Sequence, residues 1–291
     1  SIHIRFRSVQ YLEAGIQQES KGWTLQVINA AVLGSPITHS LSPLLHSLAY
    51  EYLGVQARYE AVEVKSGQLQ DFLTNTDKNA LSLTMPLKEE AFTVSNVISD
   101  IAQRISSGNT LSLTDGVWSL TSTDVLGFDF SLDMHNIKEI ETAVIIGAGA
   151  TARAAVASVS KIAKSVFVVT RNPDRIGAMN QASTAEITYL PWELTNQLNT
   201  ADLVINTTPH NAADYFVTNV ENPRGAFFEV LYNPWPTVLS KVWAQSENLV
   251  IDGLDLLIHQ GISQVEIFAG VTVDRQELYA LMRKAALAKL A

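Results

Sequence analysis

The apolar run AVII ends in Gly147-Ala148-Gly149-Ala150-Thr151-Ala152, and a segment of helical character follows at once. In this pattern Gly147 permits a tight turn, Gly149 lets the backbone approach a pyrophosphate, and the small Ala152 lets helix and strand pack closely. A helix that starts there offers free N–H groups and a partial positive charge to phosphates. The segment SVFVVT supplies a second strand, so the turn predicts dinucleotide binding rather than a purely structural bend. At the end of that strand stands Thr170-Arg171-Asn172-Pro173-Asp174-Arg175. A carboxylate there would accept from the ribose 2′-OH of NAD, whereas Arg171 and Arg175 suit a 2′-phosphate. The expected cofactor is NADP, with Ala148, Ala150 and Thr151 completing the loop.

A second group of reactive residue types lies upstream. Lys88, in LTMPLKEE, follows a strand and a proline turn and opens a helix. The positive end of the helix disfavours an ammonium and readies the amine for proton transfer, although a lone lysine is more often solvated surface. Asp124, in STDVLGF at the junction of the two blocks, supplies a carboxylate that by itself is more often a helix cap, and Asn109, in SSGNTL, an amide of the same ambiguous kind. Ser40 and Ser42, in GSPITHSLSP, precede a helix with Ser42 at the N-cap and Pro43 at N1, a place suited to a carboxylate ligand.

These residues need a frame. Short apolar runs predict strands at 30–33, 58–64 and 80–84, with helices at 44–52 and 88–92. A second block begins near Thr121, with strands at 143–146, 166–170, 187–190, 203–206, 227–231 and 249–251 and a helix at 151–163. The end of the chain has two amphipathic helices, 254–268 and 275–290, expected to dock back on the first block. The alternation predicts an α/β protein of two domains, 1–124 together with 255–291, and 125–254.

Among the 291 residues, 29 Asp and Glu outnumber 20 Lys and Arg, giving a net charge of −9 with no basic stripe; this argues against nucleic acid as a partner. The absence of cysteine excludes disulfides, thiolate nucleophiles and cysteine zinc sites. His39, His46, His210 and His259 lack metal-ligand spacing, so no metal is expected. No apolar run reaches the roughly 18 residues needed to span a bilayer. Residues 1–23 lack the apolar core of a secretory leader and are read as an N-terminal extension. The expectation is a cytoplasmic globular protein, monomer or homodimer, acting on a small molecule.

Taken in order, GSPITHSLSPLLHS, SLTMPLK, SSGNT, STDVLGF, GAGATAR, TRNPDR, YNPWPT and GLDLLIHQ resemble the successive motifs of the shikimate dehydrogenase family, across residues 31–270. The resemblance implies an N-terminal α/β substrate domain, completed by the C-terminal helices, and a Rossmann-type NADP-binding domain. It implies NADPH-dependent reduction of 3-dehydroshikimate to shikimate, on the route to chorismate and the aromatic amino acids. By this resemblance Lys88 and Asp124 are the catalytic pair, and Thr84, Asn109 and Gln260 bind substrate hydroxyls beside them. Ser40 and Ser42 bind the substrate carboxylate, with Tyr232 close by. Gly147, Gly149, Ala150 and Arg153 form the phosphate loop, and Arg171 and Arg175 the 2′-phosphate clamp, with Thr170 of the cofactor set beside it. Asn206, Thr207 and Gly253 join the cofactor set, the first two at a strand end near the nicotinamide half.

The chain departs from the family pattern at Ser82 and Ser47, where asparagine is usual, at Ser107-Gly108, usually Ala-Val, and at Thr170, usually asparagine. Two other readings stay open: a quinate or quinate/shikimate dehydrogenase, and an NADP-binding regulatory module without catalysis. Retention of Lys88 and Asp124 speaks against the second.

Overall fold

The computed structural model describes residues 27–193 and 196–291. The N-terminal extension expected at residues 1–23 lies outside the described residues. The first sheet contains β1 (Ile28–Gly34), β2 (Ala57–Glu63), β3 (Ala80–Leu83), β4 (Val97–Ile98), β5 (Thr110–Thr114) and β6 (Val117–Thr121), in the order β2-β1-β3-β5-β6-β4. β1 pairs parallel with β2 and β3, as the strand–helix alternation requires. β5 then runs antiparallel to both β3 and β6, so this sheet is mixed. Asp115-Gly116, both at positive φ (50° and 78°), turn the β5–β6 hairpin. An Asp-Gly pair between alternating apolar residues is a strong hairpin signal, and it breaks the βα alternation at this point.

The second sheet contains β7 (Ile140–Ile146), β8 (Ala163–Val169), β9 (Ile187–Leu190), β10 (Leu203–Asn206), β11 (Ala226–Glu229) and β12 (Val250–Ile251), in the order β12-β11-β10-β7-β8-β9. All its pairings are parallel. Covered on both faces, its centre reads as an unbroken apolar run: Ala143, Val144, Ile145 and Ile146 are wholly buried. The chain moves outward from β7 through β8 to β9, then returns to β10 on β7's other side. That reversal puts a crevice at the carboxyl ends of β7 and β10, the place where open α/β sheets bind nucleotides. The helix after β7 spans Ala150–Val159, shorter than the 151–163 expected, because Ala163 already belongs to β8.

Helices Gly253–Ala269 and Arg275–Leu290 close the fold. Leu254, Ile258, Ile262, Leu278 and Met282 share one core with Ile28, Ala30 and Val32 of β1. Leu256 enters the second core with Phe128 and Ile145. The helix from Gly253 therefore touches both cores.

Candidate active site

Lys88 is the second residue of helix Leu87–Val94, and Asp124 the first of helix Asp124–Met134. Their side chains meet, with Lys88 Nζ 2.6 Å from Asp124 Oδ2. A helix start favours a carboxylate and disfavours an ammonium, so Asp124 offsets the local field that Lys88 experiences. The side chains are 19% and 8% exposed, so removing either leaves the other a largely buried charge. The other carboxylate oxygen, Oδ1, accepts from Asn109 Nδ2 at 2.9 Å. The same Asn109 amide lies 3.0 Å from Thr123 Oγ1 and 3.2 Å from Gln260 Oε1, while Thr123 N–H donates to Asn109 Oδ1 at 2.9 Å. Gln260 reaches the group because its helix crosses that of Asp124 closely at Gly127, where a Cβ would lie 2.8 Å from Leu256 Cδ1 and 3.1 Å from Gln260 Cβ.

A buried chain of hydrogen bonds supports this cluster. Tyr59 OH donates to Ser82 Oγ (2.7 Å), and Ser82 donates to Gln264 Oε1 (2.7 Å). Gln264 Nε2 donates to the Asn109 carbonyl (2.8 Å) and to Thr110 Oγ1 (2.9 Å), and Thr110 donates to Asn109 Oδ1 (2.7 Å). Burial lifts the Tyr59 hydroxyl far above the usual tyrosine range, against the opposing hydrogen bonds of Ser82 and Ser42, so it is a neutral donor. His46 stacks on Tyr59 at 4.1 Å, and burial pushes its pKa down to about 3, so it is neutral as well. Tyr59→Phe is expected to lower stability by about 1 kcal/mol, the net worth of one buried hydrogen bond. Urea unfolding reads this directly; an unchanged midpoint would remove Tyr59 from the chain.

Ser40 and Ser42 stand at the start of helix Ser42–Leu53. The expected N-cap at Ser42 needs correction. Helix Ser42–Leu53 has Leu41 at its N-cap, and Ser40 Oγ takes the Ser42 N–H at 3.2 Å. Thr84 follows β3, its N–H bonded to the Leu33 carbonyl at 2.9 Å. Tyr232, between β11 and β12, packs on the core of the first sheet, and burial raises its pKa.

At the nucleotide turn, Gly147 has φ +112° at the tip of β7. A Cβ there would sit 2.5 Å from Thr207 Oγ1, which itself donates to the Ile146 carbonyl at 2.8 Å. Gly149 is the N-cap of helix Ala150–Val159, and no atom lies within 4 Å of where its Cβ would be. The turn thus opens at a helix start and at the sheet's switch point, as a pyrophosphate requires. Past β8, the Arg171 guanidinium lies 4.5 Å from the centre of the Trp192 ring, and Arg175 Nη1 lies 3.1 Å from Glu89 Oε1. Thr170 Oγ1 accepts from the Asn172 N–H at 3.1 Å, shaping the loop between the two arginines. Two exposed arginines past the strand that follows the glycine turn fit a dinucleotide carrying a 2′-phosphate. Among the described residues, no group of three or more His, Asp and Glu could hold a metal ion, and no helix is long and apolar enough to cross a membrane.

Residues 32–111 match the shikimate dehydrogenase substrate binding domain, and residues 132–224 match the shikimate / quinate 5-dehydrogenase family. The chain is 32% identical over 265 residues to a shikimate dehydrogenase (NADP(+)) of Methanothrix thermoacetophila, covering 88% of this chain and 96% of the relative. The chain belongs to the shikimate dehydrogenase family. Among solved structures, the shikimate dehydrogenase of Mycobacterium tuberculosis superposes with a TM-score of 0.79 at 29% identity, over 88% of this chain and 99% of that one. The shikimate 5-dehydrogenase of Thermus thermophilus, in complex with NADP(H) and shikimate, superposes with a TM-score of 0.76 at 27% identity, over 89% and 99% of the two chains.

Within this shikimate dehydrogenase fold, some expected cofactor residues have partners of another kind. Arg153 is 1% exposed. Its Nε donates to the Ile105 carbonyl (2.6 Å), and its Nη2 to the Ser106 carbonyl (3.0 Å) and Glu89 Oε1 (2.7 Å). Placed at the carbonyl end of helix Asp100–Ile105, the cation answers that helix's negative pole and ties it to the nucleotide-turn helix. The Asn206 side chain is likewise committed to protein. Its Nδ2 donates to both oxygens of the fully buried Glu229 (3.1 and 3.0 Å), and its Oδ1 accepts from Thr208 Oγ1 at 2.7 Å. Gly253 starts its helix hard against β11, where a Cβ would lie 2.1 Å from the Val230 carbonyl oxygen, so its missing side chain serves chain packing. Tyr59, Thr123 and Gln264 carried no local signal, since their partners come from distant segments. Ser82, the departure from asparagine, is the short link that lets Tyr59 and Gln264 join.

Proposed function

We propose that this chain reduces 3-dehydroshikimate to shikimate with NADPH, reversibly, as a cytoplasmic enzyme that is a monomer or homodimer and has no nucleic-acid or membrane partner. The observation that carries the reading is the 2.6 Å Lys88–Asp124 contact, set on a helix whose next residue, Glu89, bonds the nucleotide-turn helix through Arg153. Of the described residues, those within 1–124 and 255–291 form the substrate-binding part, and those within 125–254 the cofactor-binding part.

Bound at the Gly147 turn, NADPH would supply the hydride. Lys88 holds a proton at Nζ for the oxygen that becomes charged as the carbonyl is reduced. Asp124 keeps that amine oriented and accepts from a substrate hydroxyl. Asn109 and Gln260 fix Asp124 and read the neighbouring hydroxyl groups, with Thr84. Ser40, Ser42 and Tyr232 receive the carboxylate at the far end. Buried polar groups of this kind discriminate strongly, because an analogue lacking a hydroxyl leaves them unpaired. Gly147, Gly149, Ala150 and Thr151 would cradle the pyrophosphate, and Arg171 and Arg175 would hold the 2′-phosphate.

The test supplies purified protein with shikimate or quinate and with NADP or NAD, following reduced nicotinamide by absorbance. Turnover with shikimate and NADP is expected. Turnover with quinate and NAD alone would overturn the reading, and NADP binding without any turnover would make the chain a regulatory module.

A further inference from the structure

Glu89 follows Lys88 on helix Leu87–Val94, yet its carboxylate faces the other half of the molecule. A single oxygen, Oε1, accepts from Arg153 at 2.7 Å and from Arg175 at 3.1 Å. The two arginines differ in standing. Arg153 is 1% exposed and bonded to two carbonyls besides, so its charge and that of Glu89 form a fixed neutral pair. Arg175 is 44% exposed and adds a further positive charge that this pair does not cancel. Only its Nη1 is engaged by Glu89, so a guanidinium with five donors keeps N–H groups for an anion. Partial burial raises the Glu89 pKa, but the two guanidiniums override it and hold the carboxyl below its usual range, charged at neutral pH.

We propose that Glu89 is a positioning residue for cofactor selectivity, anchored by buried Arg153 and aiming Arg175 at the 2′-phosphate. The inference rests on the reading of Arg175 as a ligand of that phosphate. The physical basis is preorganisation. A free arginine loses rotamer freedom when it binds, whereas one already held in place loses less. The anchoring oxygen does not need to leave for the phosphate to bind, because the guanidinium is planar and can be gripped on one edge while it donates from another. Glu89 also lies one residue from Lys88, so the contact that orders the clamp also fixes the start of the catalytic helix.

Selectivity is read as the ratio of KM for NADP to KM for NAD, measured in the wild type, Glu89→Gln, Arg175→Ala and the double variant. Glutamine keeps length and an acceptor but loses the charge. The expected result is that the ratio rises about two- to tenfold in Glu89→Gln, the size that ordering one long side chain predicts. The substitution should add nothing once Arg175 is alanine. A ratio that falls would mean that Glu89 competes with the phosphate, and an unchanged ratio that it does neither; each overturns the inference. An equal rise in the Arg175→Ala background also overturns it, since Glu89 would then act without Arg175. If Arg175→Ala itself leaves the ratio unchanged, the clamp reading fails, and the inference with it. Glu89→Asp, which retains a counter-charge for Arg153 but reaches less far, gives the same comparison if the glutamine variant fails to fold.

Discussion

Replacing Lys88 with alanine is expected to lower kcat by about 10²–10⁴-fold, the usual worth of a positioned proton donor, with much less change in KM. Lys88 Nζ is bonded to Asp124 Oδ2 at 2.6 Å, and both groups stand at helix starts with little exposure. Once the lysine is gone, Asp124 still has Asn109 Nδ2 at 2.9 Å and its own helix start to stabilise its charge, so the fold should survive. Substrate should still bind through its carboxylate and hydroxyl contacts, which is why the loss falls on kcat. Lys88→Arg separates proton donation from ion pairing. Arginine can restore the charge beside Asp124 but does not give up its proton near neutral pH. Full activity in Lys88→Arg would make the residue an ion-pair partner, and near-normal kcat in Lys88→Ala would remove it from the chemistry.

The second large effect is expected at the nucleotide turn. Gly147 holds φ at +112°, where a β-branched residue is a genuine outlier, and a Cβ there would fall 2.5 Å from Thr207 Oγ1. Thr207 cannot yield freely, because it donates to the Ile146 carbonyl at 2.8 Å and lies at the end of β10. Gly147→Val therefore combines backbone strain of about 1–3 kcal/mol with a forced displacement of that turn. We expect NADP affinity to fall at least about tenfold, which corresponds to about 1.4 kcal/mol, as measured by titration of cofactor fluorescence. Gly149→Ala is the informative companion. Its φ of −80° suits alanine, and its Cβ would meet no atom within 4 Å, so the protein should fold normally. If that open space seats the pyrophosphate, the added methyl alone weakens binding. Wild-type affinity in both variants would move the phosphate site elsewhere.

Much of this was legible in local sequence. The strand–glycine turn–helix unit at Gly147 is encoded within a dozen residues, because its constraints are local: backbone freedom, small side chains and free N–H groups. The second sheet could be read from its apolar runs, since strands covered on both faces carry no alternation to confuse with a helix. The β5–β6 hairpin has a local signal in Asp115-Gly116, but its two five-residue strands interrupt the βα alternation of the flanking segments. Other features had no local signature. Ser82 and Gln264 are 182 positions apart, and Asn109 and Gln260 are 151 apart; both pairs form only because helix Gly253–Ala269 docks beside the first sheet. Arg153 lies within the glycine-turn motif and reads there as a phosphate ligand, yet its guanidinium turns to the carbonyls of a helix from the other half.

By itself, then, the sequence determined the residue types and their local frames: a glycine turn before a helix, arginines past the next strand, a lysine and an aspartate each at a helix start. Those follow from propensity, periodicity and capping, which act over a few residues. Only the tertiary structure decided which of these groups meet. Lys88 finds Asp124, Asn109 finds Gln260, and Glu89 finds both arginines, because sheet order and helix docking bring together groups far apart along the chain. A side chain's chemistry depends on the charge and hydrogen-bond partners within about 4–6 Å of it, and the fold sets those distances.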